Sequence, residues 1–196
     1  MSVMDIRQKL FQYRSYAPFP FIVVMILFAR PIPISLLFGF PVVAAGEYLR
    51  LWGVAIAGSE TRTTGPVGGT YLITTGPFAY VRNPLYVGNI LMYVGAGIMS
   101  NALFPWLVMI VLFYFGWQYS LIVSLEEEHL AEKFGEEYDR YCKSVPRFVL
   151  SLNKFTAGEN EQPVLDWKRG LISEKRTLQA VFILTVVMIS LWFAQR

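Results

Sequence analysis

Cysteine and histidine are nearly missing from this chain. One cysteine, Cys142, leaves no partner for an intrachain disulfide and cannot build a thiolate metal cluster. One histidine, His129, argues against a histidine-based metal site, so no metal is expected. Charge is scarce too: 16% of the 196 residues are Asp, Glu, Lys or Arg, against roughly 25% in a soluble domain. The net charge is +3, but the basic residues are dispersed around apolar runs with no dense cluster. A nucleic-acid partner is therefore not expected. No internal repeat or low-complexity tract is found. The opening MSVMDIRQKLFQYRSYAP carries charges but no apolar core, so it does not read as a secretory signal.

What the chain has in excess is apolar surface. It is 55% hydrophobic and 16% aromatic, with a mean hydropathy of +0.44. Aromatics at that level suit a membrane interface. The expected class is an all-α, multi-pass transmembrane bundle forming one domain over 1–196, with no Rossmann sheet. Five apolar stretches carry the expectation of about five spans: Phe19 to Ala29, Ile34 to Ala57, Leu85 to Met99, Leu103 to Ser124 and Leu178 to Ala194. The first two form N-terminal spans over 19–57, and a linker with the last span fills 151–196. A span takes about 20 apolar residues, so the first and third stretches must tilt, borrow flanking residues or sit inside protein. Pro31 and Pro33 read as a turn between spans, and "SNA" as a short helical hairpin.

With the N-terminus in the cytoplasm and every stretch crossing, the cytoplasmic side holds Arg7, Lys9, Arg14, Arg62 and Arg82. It also holds nine Lys/Arg between Lys133 and Arg176, while the far side holds only Arg30 and Arg196. That asymmetry is the positive-inside pattern. Glu47 and Arg50 interrupt the second stretch three residues apart, where they either pair or face a site.

Arg82-Asn83-Pro84 reads as a helix start. Asparagine suits the cap and proline the first helical position. The amides of Leu85 and Tyr86, the helix dipole and Arg82 then make a local site for a carboxylate or similar anion. Gly76 and Pro77 shape the turn before it, and Gly88, Gly95 and Gly97 allow close approach of a backbone or ligand. The plainer alternative is an interfacial arginine beside packing glycines.

The second charged block follows the fourth stretch: "LEEEHLAEKFGEEYDRYCKSVPRF". Leu130, Phe134 and Tyr138 recur at helical spacing, so the helix is expected to continue through the block. Glu128, Glu132 and Glu136 fit a solvated face. Glu126 and Glu127, at the membrane edge, suit ribose hydroxyls, an ammonium or a sulfonium. His129 reads as a surface histidine and Cys142 as a packing residue.

Together the two blocks resemble the family of isoprenylcysteine carboxyl methyltransferases and phospholipid N-methyltransferases. That family carries Arg-His-Pro-x-Tyr-x-Gly at a helix start, then Glu-Glu-x-x-Leu, Phe-Gly-x-x-Tyr-x-x-Tyr and Val-Pro-Arg after one hairpin. Here these read Arg82-Asn83-Pro84-Leu85-Tyr86-Val87-Gly88, Glu126-Glu127-Glu128-His129-Leu130, Phe134-Gly135 through Tyr138 to Tyr141, and Val145-Pro146-Arg147. "GEYLRLWGVAIAG" is similar to the family's second core helix, so the resemblance covers a catalytic core of about 46–148. It implies a membrane-embedded S-adenosyl-L-methionine site and methyl transfer to a lipophilic acceptor. The candidates are a prenylcysteine-type carboxylate, a phospholipid amine or another small lipophile. By resemblance Tyr80, Arg82, Asn83, Pro84, Tyr86 and Gly88 line the cofactor pocket with Glu126 and Glu127. Arg82 and Glu127 are the catalytic candidates, and Tyr138 and Arg147 are placed toward the acceptor. Asn83 departs from the family's histidine and cannot act as a base near neutral pH. Two rival readings share part of the pattern: an NADPH-dependent membrane sterol reductase and a non-catalytic membrane scaffold.

Overall fold

The computed structural model describes residues 6–58, 72–156 and 162–195. Arg62, Arg196 and most of the Gly/Thr-rich loop lie outside the described residues. The described chain is helical, without strands: α1 (Ile6–Tyr13), α2 (Pro18–Leu27), α3 (Pro33–Ala57), α4 (Pro84–Ser100), α5 (Trp106–Ser144) and α6 (Trp167–Ala194), with a 3-10 turn over Gly76–Ala79. Each expected apolar stretch falls on a helix. Pro31 and Pro33 do separate two of them, because α2 ends at Leu27 and α3 starts with Pro33 at its first position. The turn between α4 and α5 is longer than "SNA" suggests, since α5 begins only at Trp106.

Three helices, α3, α5 and α6, are long and apolar enough to cross a membrane alone; α1 and α2, bent by 53°, pass that test only together. The helix of the third apolar stretch, α4, has 17 residues, or about 25 Å at 1.5 Å per residue, short of the roughly 30 Å hydrocarbon core. Its shortness is met by burial. It lies against α2, α3 and α5, so protein rather than lipid faces much of its surface.

The α3–α4 contact sets the architecture. Gly39, Gly46 and Gly53 recur every seven residues on one face of α3 and meet α4 running the other way. A Cβ at Gly39 would stand 2.6 Å from the Met99 nitrogen, and one at Gly46 would stand 2.6 Å from the Gly88 carbonyl. From α4, a Cβ at Gly95 would stand 2.7 Å from the Val43 nitrogen. The two backbones therefore touch, as small residues allow in apolar helix pairs. Gly88 and Gly95 behave as the sequence suggested; their partners on α3 did not stand out in it.

A second core joins Phe11, Met25, Val111, Phe115 and Tyr119, packing α1 and α2 on α5. The helix after Ser124 continues as expected, with one break: Gly135 adopts φ 50°, ψ −125°, which an L residue rarely adopts. The break turns the last segment so that Tyr138, Tyr141 and Val145 pack with Leu72.

Gly46→Leu should lower stability by about 1–3 kcal/mol through overpacking against α4. Gly116→Ala, where a Cβ meets nothing within 4 Å, should be neutral or stabilising. Thermal melting in mild detergent reads both.

Candidate active site

The stretch before α4 is held from the far end of α5. Gly76, at φ 60°, turns the chain into the 3-10 segment. Backbone bonds then tie it to the strap after α5: Arg82 N–H donates to the Pro146 carbonyl at 2.9 Å, Ser151 to Tyr80 at 2.8 Å and Phe155 to Ala79 at 3.0 Å. Pro84 opens α4 as expected. Asn83 occupies the cap position but makes no side-chain cap bond. Its Nδ2 instead donates to the Arg147 carbonyl at 3.2 Å, because the strap lies alongside and offers an acceptor. The cap role expected of its side chain is therefore corrected. The first amides of α4 still lie at the helix end, as helix geometry requires.

The two sequence blocks meet at Glu127. Arg82 Nη1 lies 3.1 Å from Glu127 Oε1, and Arg147 Nε donates to the same oxygen at 3.2 Å. Arg147 Nη2 closes on Oε2. One carboxylate, 12% exposed, thus stands between two guanidinium groups. Arg82 Nη1 also lies 2.7 Å from Cys142 Sγ, so Cys142 sits against the charged centre, not merely in packing. Burial opposes the charge on Arg82, but Glu127 and then Cys142 outweigh it, and its pKa is raised above the ordinary value.

Glu126 is held differently. The Tyr86 hydroxyl donates to its Oε1 at 2.7 Å, and the Tyr86 ring lies 4.7 Å from that of Tyr119. Glu128 points outward and pairs with Arg7 at 2.5 Å, consistent with a solvated face. Arg82, Asn83, Pro84, Tyr86, Glu126, Glu127 and Tyr138 all line one cavity of about 1280 Å³. Three expected site residues stand off its wall. Tyr80 packs its ring near Trp52, and Gly88 is the contact point with α3. Arg147 meets the cavity lining indirectly, through its guanidinium on Glu127 and its carbonyl on Asn83. His129 does line the cavity, beside Leu130.

The structure brings Arg50, which the sequence left either paired with Glu47 or facing a site, to the cavity wall, and adds Asn89, Tyr119 and Glu174, which the sequence reading did not single out. Arg50 Nη1 donates to Asn89 Oδ1 at 2.5 Å, and Nη2 donates to both Glu174 oxygens at 3.0 and 2.8 Å. Glu47, the expected partner, is 4.0 Å away. Asn89 Nδ2 donates to the Tyr119 hydroxyl at 3.2 Å. Arg50, Asn89, Tyr119 and Glu174 all face the same cavity, as does Arg14 in the turn after α1. Asn89 and Tyr119 were findable as polar groups on apolar helices. Glu174 sat among linker charges, where nothing marked it. Among the described residues, no group of three or more His, Cys, Asp or Glu is placed to hold a metal ion.

The family model described as phospholipid methyltransferase matches residues 34–137, and the chain belongs to that family. The match runs from α3 through the Gly135 break and leaves out α1, α2, α6 and Arg147. The chain is 35% identical over 86 residues to the nickel-cobalt-cadmium resistance protein NccN of Alcaligenes xylosoxydans xylosoxydans, covering 44% of this chain and 39% of that protein. It is 30% identical over 124 residues to the cobalt-zinc-cadmium resistance protein CzcN of Cupriavidus metallidurans, covering 63% and 52%. It is 37% identical over 76 residues to protein-S-isoprenylcysteine O-methyltransferase of Schizosaccharomyces pombe, covering 38% and 31%. The chain thus spans about half or less of the length of these relatives. No solved structure matches it.

Removing Arg82 should leave Glu127 half-paired in a largely buried setting. Arg82→Met is expected to cost about 2–4 kcal/mol. Arg7→Ala, which breaks a more exposed pair, should cost less than about 1 kcal/mol. Denaturant titration of both variants in detergent measures the difference.

Proposed function

We propose that the chain transfers a methyl group from S-adenosylmethionine to a lipophilic acceptor inside the membrane. The observation that carries this reading is the shape and chemistry of one cavity. Its polar end gathers Arg82, the start of α4, Glu126 and Glu127. Its other end is walled by α2 and α6, where Phe19, Ile26 and Ile183 both line the cavity and are exposed on the apolar surface. A cofactor with a carboxylate, an ammonium and two ribose hydroxyls suits the first end; an apolar tail suits the second.

The residues present fit the cofactor. Arg82 Nε is buried and lacks a hydrogen-bond partner, which is costly unless a ligand supplies one. With the α4 start it would hold the carboxylate. Glu126, steadied by Tyr86, would accept bonds from ribose hydroxyls or the ammonium. Glu127 keeps Arg82 charged and aimed, with Arg147 bracing it from the strap. When bound, S-adenosylmethionine supplies a methyl group on a sulfonium, so no metal is needed.

The chain's own contribution is positioning and exclusion of water. Placing the acceptor in line with the methyl group removes much of the entropic cost of a two-body reaction. Tyr138, Tyr141 and Leu72 line the cavity on the side of the charged blocks, and its apolar wall would help to exclude water around a bound cofactor and acceptor. Asn83 cannot take a proton, so an acceptor that loses one must pass it to a carboxylate or water. The excess of basic residues around this end supports a cytoplasmic position for it and for the N-terminus.

S-adenosylhomocysteine should bind the purified protein in calorimetry, and Glu127→Ala should weaken it by roughly tenfold or more with the fold intact. NADPH in a parallel titration should not bind. Binding of NADPH alone would move the protein to the reductases, and binding of neither would favour a scaffold.

A further inference from the structure

Two segments on the side of the charged blocks carry apolar side chains that the fold leaves bare. In the strap after α5, Val149 is 71% exposed, Leu150 56% and Leu152 99%. Just before α6, Val164 is 83% exposed and Leu165 42%. Both segments lie beyond the family match. Both are held by backbone bonds. The strap is tied to the stretch before α4 by Ser151 to Tyr80 and Phe155 to Ala79, and the Asp166 amide donates to the Ala55 carbonyl at 2.9 Å. Gln162 bridges back as well, accepting from the Thr74 amide at 2.9 Å and donating to the Leu72 carbonyl at 3.0 Å. A run of rings connects the two segments: Tyr80 lies 6.4 Å from Trp52, Trp52 6.3 Å from Tyr48, and Tyr48 6.4 Å from Trp167. The result is one ridge of apolar side chains, and a bare apolar ridge of this kind marks a surface with a partner.

We infer that this ridge is seated in the anionic headgroup layer of the membrane that the helices cross. Its depth suits that seat. About 20 residues on from Pro33, the length that crosses the hydrocarbon core, α3 reaches Trp52. The run of rings thus stands where lipid gives way to water, the level at which Trp and Tyr collect. Tyr48, 59% exposed, continues the outer surface of α3 into the ridge. Its charge suits an acidic surface. From Tyr141 to Thr156 the chain carries Lys143, Arg147 and Lys154 and no acid. Lys143 and Lys154 are exposed, as is Lys168 beside Trp167. Asp166, between Leu165 and Trp167, is committed to the Arg169 amide as the cap of α6. Basic residues set among apolar ones bind acidic phospholipid more tightly than neutral lipid. The same strap meets the Arg82 amide through the Pro146 carbonyl and Glu127 through Arg147. The seat of the ridge and one wall of the cavity are therefore a single piece of structure, whatever the cavity binds.

The test puts the photo-crosslinking residue p-benzoylphenylalanine in place of Leu152, Val164 or, as the solvated control on α5, Glu132. Each full chain is reconstituted in liposomes of equal parts phosphatidylglycerol and phosphatidylcholine, illuminated, and its peptides weighed by mass spectrometry. Positions 152 and 164 should yield roughly tenfold more phospholipid adduct than 132, or better. Phosphatidylglycerol should be favoured over phosphatidylcholine by roughly threefold or more. Replacing Lys143, Lys154 and Lys168 together by glutamine should cut that preference to roughly 1.5-fold or less. Should the triple variant fail to fold, raising the salt to roughly 1 M around the chain with its lysines intact must narrow the preference in the same direction. Adducts no more frequent at 152 and 164 than at 132, equal adducts of the two lipids with the lysines in place, or crosslinks to a second copy of the chain instead of lipid would each overturn the anchor. So would a preference that survives both the glutamines and the salt.

Discussion

Charge placed among apolar helices must be answered by charge nearby, and Glu127 shows how this chain meets that demand. Its carboxylate is shared by Arg82, before α4, and Arg147, beyond α5. These two arginines stand 65 positions apart, and the contact fixes where α4 starts relative to where α5 ends. The backbone bonds between 79–82 and 146–155 follow the same line. Remove the carboxylate and two guanidiniums lose their counter-charge together, with the cavity wall they shape. The same logic repeats deeper in the bundle, where Arg50 is answered by Glu174 of α6. Two ion clusters thus pin four helices around one cavity. The bundle owes its close packing to glycines, and its cavity to these charges.

Much of this was legible beforehand, for physical reasons. Proline at a helix start is a local signal that held, and the apolar spacing through Leu130 and Phe134 held up to the break at Gly135, beyond which Tyr138 belongs to a turned segment. The paired appearance of Arg82 and Glu127 in two ordered blocks pointed to one site, and the fold brings them within 3.1 Å. What stayed hidden depends on partners far away in sequence. The side chain of Asn83 left its cap because Arg147 offered a carbonyl. Gly88 reads equally well as ligand space or helix contact until Gly46 is seen opposite it. Glu174 lies among charges of a linker, and only the placement of α6 against α3 reveals it as buried. Likewise the opening stretch shows charges and no apolar core, yet Phe11 of α1 is buried against α5.

The family match covers the three helices that form the charged end of the cavity, while α2 and α6 supply most of its apolar wall. That division suits a chemistry shared within a family and an acceptor particular to each member. On the proposed reading, the shared core would hold the methyl donor and the helices outside it would line the acceptor's path.

The most direct test of this account is an experimental structure of the full chain with S-adenosylhomocysteine bound. The ligand's carboxylate should lie at the first amides of α4 within hydrogen-bonding distance of Arg82, with its ribose toward Glu126 and its sulfur facing the apolar end of the cavity. A ligand seated outside this cavity, or one inside it with Arg82 still turned wholly to Glu127 and Cys142, would contradict it.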